Sequence, residues 1–402
     1  MLKRKKHCFV CSENFITSQI GAKFCSPECR RIAKQQRQAE TKEKKVSRKI
    51  AKLPVNDAWR WVAKECKRAG TVEVLQGVDL EKLLAIYTYR YKCYGYDSKK
   101  GVSRFHICHI YPVNGDKRVG LLHHLNLFVG DHLSNQKHGA KDYGEGLYID
   151  RDSLQNKWVV SGDHTEREVL TLIESYLGDK LKCYLLGNPV RKSVRFTLID
   201  RILKYETGRD RGELEKLSTA ALREIDANRR GKIGYSVSIA PKRTLTVYCD
   251  ELTRLIDELD DCQWRDHLIV CLDGVRVLAS YLAMREGFLY SSPFSEILVK
   301  VDHVSFTPFV LREGKDDSKL RDFIRITCFE TLSGKCLEIE QFRNTLKSYL
   351  CFNQSIPLIH SKRACWTEEW NIFFDKQLPS LLSSCESLGI VSEELDWLKA
   401  SA

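Results

Sequence analysis

The sequence contains no apolar run approaching the about 20 residues that a transmembrane helix requires. It has no apolar stretch of the secretory type behind its first basic residues, since Met1-Leu2-Lys3-Arg4-Lys5-Lys6 runs directly into a cysteine motif. No membrane association is therefore expected, and the protein should stay in the cytoplasm or nucleoid of the cell that makes it. A G-x-x-x-x-G-K-[ST] phosphate loop is missing, so nothing argues for nucleotide hydrolysis, and no fixed-period repeat is evident. Acidic residues are scarce at one end. Residues 1–53 hold fifteen Lys and Arg against four Glu, which puts +11 of the formal +12 net charge in the first eighth of the chain. Basic charge gathered in one arm is the electrostatic footprint of a nucleic-acid binder, although such arms also serve membranes and partner proteins.

What is present is the composition of an ordinary globular chain: 402 residues, 43% apolar and 29% charged, enough for two or three domains. Most of the sixteen cysteines stand singly among apolar neighbours, as in Val270-Cys271-Leu272 and Leu350-Cys351-Phe352, and read as small buried hydrophobes. Four regions separate by pattern. Residues 1–32 hold a cysteine motif, and residues 33–55 are a charged stretch closed by Pro54, suited to an exposed helix or a tether with no apolar face. Residues 56–160 read as mixed α/β. Phe105, Ile107 and His109 alternate as on a strand, a turn follows at Asn114-Gly115, Leu125, Leu127 and Val129 alternate again, and Asp131 can cap a short helix. From residue 161 to 402 the pattern is mostly helical, with candidates at Glu166–Leu177, Phe196–Tyr205, Leu214–Asn228, Thr246–Leu259, Trp264–Glu286, Ser318–Thr331, Glu338–Tyr349 and Thr367–Leu388. The expected fold class is α+β.

Cys8-Phe9-Val10-Cys11 and Cys25-Ser26-Pro27-Glu28-Cys29 form C-x2-C and C-x3-C pairs with thirteen residues between them. Each short spacing lets two thiolates reach one ion, and four soft ligands suit structural zinc. Pro27 fits the first turn of a helix, and a segment this short would draw its folding energy from the metal. The segment resembles small treble-clef or ribbon-like zinc modules that precede some phage and bacterial nucleases. Lys3, Arg4, Lys5, Lys6, Arg30 and Arg31 surround it as candidate nucleic-acid contacts.

The stretch richest in chemistry is His109-Ile110-Tyr111-Pro112, then His123-His124-Leu125-Asn126-Leu127, then Asp131-His132-Leu133-Ser134-Asn135-Gln136-Lys137-His138-Gly139. Phosphodiester hydrolysis requires a base to activate water and a divalent cation to neutralise phosphate charge, and His, Asn and carboxylates supply both. This stretch, about a tenth of the chain, is similar to the HNH, or ββα-metal, endonuclease family: His-Ile-x-Pro on a first strand, Asn-Leu opening a second, and His or Asn nine residues later on a helix. The resemblance implies that His109 is the general base, that Asn126 stabilises the loop and orients it, and that Asn135 binds the catalytic metal. Two positions depart from the family. Cys108 stands where an Asp or His ligand is usual, so either the ion is one that tolerates a thiolate (Zn2+, Mn2+ or Ni2+ rather than Mg2+) or another ligand is recruited. His106, His132 and His138 are nearby, and His138, three residues after Asn135, is preferred. Asp131 and Ser134 occupy places where many members carry zinc-binding cysteines.

The expected function is a metal-dependent HNH endonuclease that nicks DNA, with structural Zn2+ and a catalytic divalent ion. The rivals are a non-catalytic DNA-binding or regulatory protein that keeps the scaffold, and an HNH nuclease acting on RNA. Similar zinc-plus-HNH proteins occur in phage recombination and packaging, mobile elements and antiphage defence. The helical C-terminal half could support oligomerisation or a protein partner. The dyad His123-His124 reads as packed or exposed, and Arg229-Arg230, Lys232, Arg191-Lys192 and Arg195 as phosphate contacts or solubilising surface.

Overall fold

A computed structural model describes residues 3–89, 94–97, 103–233, 238–239, 244–286, 309–352 and 378–389. The first elements are a hairpin of β1 (Arg4–His7) and β2 (Asn14–Thr17), then helices α1 (Pro27–Ile50), α2 (Asp57–Ala69) and α3 (Leu80–Thr88). A stretch of short strands follows: β3 (Tyr96–Asp97), β4 (Phe105–His109), β5 (Arg118–Gly120), β6 (Leu127–Asp131), helix α4 (His132–His138) and β7 (Tyr148–Asp150). Helices then dominate as α5 (Glu166–Leu177), α6 (Asp179–Gly187), α7 (Val194–Tyr205), α8 (Arg211–Lys216) and α9 (Thr219–Arg229). The remainder comprises β8 (Ser238–Ile239), α10 (Thr244–Glu258), α11 (Gln263–Glu286), β9 (Phe309–Leu311), α12 (Asp317–Leu332), α13 (Ile339–Tyr349), β10 (Leu350–Phe352) and α14 (Leu378–Ser387). Every described sheet is a two-stranded antiparallel pair, so the fold is α+β with helix dominant. No helix among the described residues is long and apolar enough to cross a membrane.

Several sequence expectations meet local physical causes. Glu166–Leu177 is helical over that span because Thr165 and Glu168 form a reciprocal capping box at its start. The expected helix over Leu214–Asn228 is instead two helices, since Ser218 leaves helical geometry and its hydroxyl accepts from Ala221 N at 3.1 Å to cap α9. The charged stretch after residue 33 is one continuous helix with the segment before it. Ser26 caps it, Pro27 sits in the first turn, and Arg48 and Lys49 occupy the last turn, where cations favour the helix dipole. Of the expected Thr367–Leu388 helix, the part before Leu378 lies outside the described residues.

Contacts divide the chain into two compact units that cut across the four sequence regions. The first combines residues up to Lys64 with His164–Thr197. In it the C-terminal end of α1 packs on α6, with Val46 buried and Lys49 Nζ donating to Asn188 O at 2.9 Å. Trp59 meets Tyr184 edge-on, and Arg60 pairs with Glu166 at 2.5 Å.

The second unit joins Glu65–Asp163 to the residues from Leu198 onward. Its core is a helical cluster of α10–α14 in which Cys108, Ile110 and Phe128 from the β4–β6 hairpin are also buried. The lone cysteines Cys249, Cys271, Cys328 and Cys385 lie inside this apolar cluster, as small hydrophobes. A two-stranded sheet buried in such a core has an unpaired edge, and an unmet backbone N–H or C=O there would be costly. Helix α10 meets that edge of β6 with side chains at helical spacing. Glu251 accepts from Val129 N at 3.1 Å, Arg254 donates to Leu127 O at 2.7 Å and to His124 O at 3.1 Å, and the Tyr248 hydroxyl contacts Asp131 N at 3.4 Å.

Helix α4 is held by the same device. Asp131 caps it by accepting from Ser134 N at 2.9 Å, as the sequence suggests, and also takes the Tyr248 hydroxyl at 2.5 Å and Arg325 of α12 at 3.3 Å. Arg325 reaches the Ser134 hydroxyl as well, at 2.9 Å. Burial works against the Asp131 charge, but Tyr248, Ser134 and Arg325 outweigh it and hold the carboxyl below its ordinary range. Removing the Tyr248 hydroxyl should leave this buried carboxylate short of a partner. Tyr248→Phe is expected to lower stability by about 1.5–3 kcal/mol, the scale of a hydrogen bond to a charged group. Urea unfolding measures it, and a loss under about 0.5 kcal/mol would mean that packing alone secures the edge.

Candidate functional site

The four N-terminal cysteines converge. Cys8 and Cys11 lie on the turn that follows β1, where Ser12 adopts a left-handed φ of 60° and its N–H donates to Cys8 O at 3.0 Å. Cys25 precedes α1 and Cys29 sits in its first turn. The four Sγ atoms all lie within 4.8 Å of one another, with Cys25 Sγ 3.5 Å from both Cys11 and Cys29. A tetrahedron of thiolates around zinc has edges of about 3.8 Å, so the quartet fits a metal ion of this kind. Its electrostatics also call for a cation. The backbone N–H of Cys11 is the main reason that the Cys8 thiol falls to about 6, while the crowd of Cys11, Cys29 and Cys8 pushes Cys25 up to about 12. One thiolate thus resists the next until a divalent ion balances them. Among the described residues, this is the one group of three or more Cys, His, Asp or Glu side chains close enough to share an ion.

The second candidate is built from β4, the long loop after it, β6 and α4. Asn126 ends the turn before β6, fully buried, and all four of its amide hydrogen-bonding positions are used. Its Oδ1 accepts from Tyr111 N at 2.8 Å and Leu147 N at 3.1 Å, and its Nδ2 donates to Leu121 O at 2.8 Å and Tyr111 O at 3.2 Å. Two N–H groups face one end and two carbonyls the other, which fixes the amide orientation. Gly120 and Gly146 let the backbone come this close. A Cβ would stand 1.9 Å from Tyr111 O at Gly120 and 2.4 Å from Asn126 Oδ1 at Gly146, where φ is also +92°. The result is a fixed loop immediately beyond His109, and Ile110 N donates to Asn126 O at 2.9 Å.

His109 is the last residue of β4. Its Nδ1 lies 3.4 Å from the Arg68 guanidinium at the end of α2, and Arg68 also pairs with Glu65 at 3.2 Å. Dense surroundings first, and the Arg68 charge second, push the imidazole down to about 3, so it is neutral at physiological pH. Strand alternation places His109 with Ile107 and Phe105, and Cys108 with His106. The thiol that the sequence sets beside a metal is instead packed in the apolar core with Phe128, 3% exposed. Asn135 on α4 meets His106, with Nδ2 3.2 Å from Nδ1, and the His106 and His132 rings stand 6.1 Å apart. His138, the preferred extra ligand, is half-buried between Phe329 and Tyr143, each ring 5.5 Å away, and burial lowers its pKa. The spacing argument for His138 considers one helix face only; α12 covers that residue with an aromatic ring.

Lys3, Arg4 and Lys5 are exposed on or beside β1, whereas Lys6 Nζ donates to the carbonyls of Ile20 and Ala22. Arg30 is exposed, and Arg31 pairs with Glu28 at 2.6 Å. The His123–His124 dyad is packed, with ring centroids 4.1 Å apart and His123 accepting from Leu125 N as a cap. Arg230 and Arg201 converge on the buried Asp226, and Arg229 stacks on Tyr205 at 3.6 Å. Sequence reading missed Arg68, Tyr248, Glu251, Arg254 and Arg325. No local signal marks them, because each acquires its role from a strand or loop distant in sequence. Comparison with protein-family profiles, curated proteins and solved structures finds no match to this chain.

Two outcomes follow from this geometry. Asn126→Ala leaves four backbone groups unmet, three of them buried, and should cost at least about 3 kcal/mol. Asn126→Asp should be no milder, since a carboxylate oxygen would face two carbonyls; a chemical-denaturation loss near zero for either variant would contradict the bonding described. For the cysteine quartet, metal analysis should find one ion per chain, abolished by Cys25→Ser. Chelation should unfold the β1–β2 segment while the rest keeps its amide protection, and an unchanged N-terminal segment after chelation would show that no ion holds it.

Proposed function

We propose that residues 105–138 are the catalytic centre of a metal-dependent HNH-type endonuclease acting on DNA, and that the cysteine quartet holds structural zinc in a treble-clef-like module. The observation that carries this reading is the Asn126 amide, which ties both ends of the loop between β4 and β6 and so fixes His109 at the end of the first strand. A helix bearing Asn135 follows the second strand directly, in the order strand, loop, strand, helix. In the structure His109 is neutral and its Nδ1 accepts from the Arg68 guanidinium, so its action as general base requires Arg68 to turn to a phosphate and free that nitrogen.

The site divides the labour among side chains. His109 is the general base and Asn126 is its positioning residue. Asn135 would hold the divalent ion as the family pattern has it, with water or substrate phosphate completing the shell. Cys108 faces the core, and His106, which meets Asn135 at 3.2 Å, shares the Cys108 face of β4 and not that of His109. When bound, the ion would supply charge neutralisation at the phosphate and leaving oxygen. Arg68, within reach of His109 Nδ1, offers a guanidinium fork to a phosphate oxygen beside the base. Each site would cut one strand, so a nick is the elementary product.

The buried Cys108 favours one rival, a DNA-binding scaffold without catalysis. Supercoiled plasmid incubated with Mg2+, Mn2+, Ni2+ or Zn2+, with an EDTA control, separates the two. Metal-dependent nicking by the wild type, reduced at least about 100-fold in His109→Ala, is the expected result. Equal inertness of both proteins in every metal, with DNA binding retained, supports the scaffold instead. Labelled RNA in the same tubes tests whether DNA is the substrate.

A further inference from the structure

We propose that the exposed face of α1 is a phosphate-tracking surface for duplex DNA. This rests on the reading above only in taking DNA as the partner. From Lys34 to Lys45, twelve consecutive residues of α1 are exposed, so this part of the helix has no tertiary cover among the described residues. A helix polar on all sides gains nothing from packing, and isolated helices are marginal in water. At 100° per residue, Arg30, Lys34, Arg37, Lys44, Lys45 and Arg48 fall within an arc of about 100°, while Glu28, Glu40 and Glu43 lie outside it. Six like charges on one face repel one another, and an anion of matching length laid against them would relieve that repulsion and release its own counterions.

The dimensions suit a duplex. Arg30 to Arg48 spans about 27 Å along the axis, and an α-helix with its side chains is about 10–12 Å across, close to the width of the DNA major groove. An open groove of about 610 Å³ runs beside this face, with Phe24, Arg30, Lys34, Arg37 and Lys45 on its walls. Other occupants fit less well. A membrane surface needs an apolar helix face with residues such as Leu, Phe or Trp, and Lys34–Lys45 contains none. A protein partner would need aromatic or aliphatic anchors, which the stripe also lacks. Repeated phosphates require only the charges that are present, and such contacts provide register without reading bases.

Fluorescence anisotropy of the full-length protein with a 20-base-pair duplex across a salt series tests this, without added divalent metal so that nothing is cut. Lys34→Ala, Arg37→Ala and Lys45→Ala combined should reduce the slope of log K against log salt by about 2.7, which is three phosphate contacts at about 0.9 each. Removing three cations off the stripe (Arg167→Ala, Lys180→Ala and Lys216→Ala) should change it by less than about 1. The charge-preserving set Lys34→Arg, Arg37→Lys and Lys45→Arg should keep the wild-type slope, which guards against a folding effect together with unchanged far-UV circular dichroism. Equal slopes for the two alanine triples would overturn the proposal, as would a loss confined to duplex RNA or an acidic polypeptide. A protein that fails to nick plasmid but shows the slope change loses only the nuclease reading; one that nicks with an unmoved slope loses only this one.

Discussion

The second unit depends on how the free edge of β6 is satisfied. A two-stranded ladder buried among helices would strand its outer N–H and C=O groups, and α10 answers them with Tyr248, Glu251 and Arg254 in place of a third strand. Because these side chains are spaced as a helix face while the groups they meet follow the pleat of a strand, only one seating of α10 on β6 satisfies all of them. The hairpin that carries His109 is thereby locked to the helical core, and the catalytic candidate and the C-terminal helices are one folding unit.

The polar groups inside this unit are connected and matched. Glu251 accepts from Val129 N, Arg254 and Tyr94, and Asp131 accepts from Ser134, Tyr248 and Arg325. Buried charges of this kind are costly unless fully partnered, and removing one partner exposes the whole cost. At the start of α4, hydrogen bonds from Tyr248 and Arg325 fasten Asp131 and Ser134, which gives a physical reason for the helical region to pack where it does.

The N-terminal segment solves the same problem by other means. Among the described residues it has four close thiols and few buried side chains, so an ion held by the quartet would be a strong source of cohesion for it. Beyond the quartet, α1 rests on its caps and on good helix-forming residues, with its first buried anchor after the exposed stretch at Val46. Surplus charge is tolerable there because water reaches every turn. The same charge inside the second unit would demand partners at each position.

Much of this was legible in the sequence where the determinants are local. The C-x2-C and C-x3-C pairs, the caps at Ser26, Thr165 and Asp131, and the alternation along β4 and β6 involve residues within a few positions of each other, and backbone geometry converts such spacing directly into structure. Asn126 was marked by its motif, although its four partners were not. What only the tertiary structure decided is which face each residue meets: that Cys108 enters the core, that His138 lies under Phe329, that Asn135 finds His106, and that Arg68 stands beside His109. Asp131 and Tyr248 are 117 residues apart, and Val129 and Glu251 are 122 apart. Pairings across such distances are selected by the collective demand that every buried polar group find a partner, and no spacing rule along the chain encodes that demand.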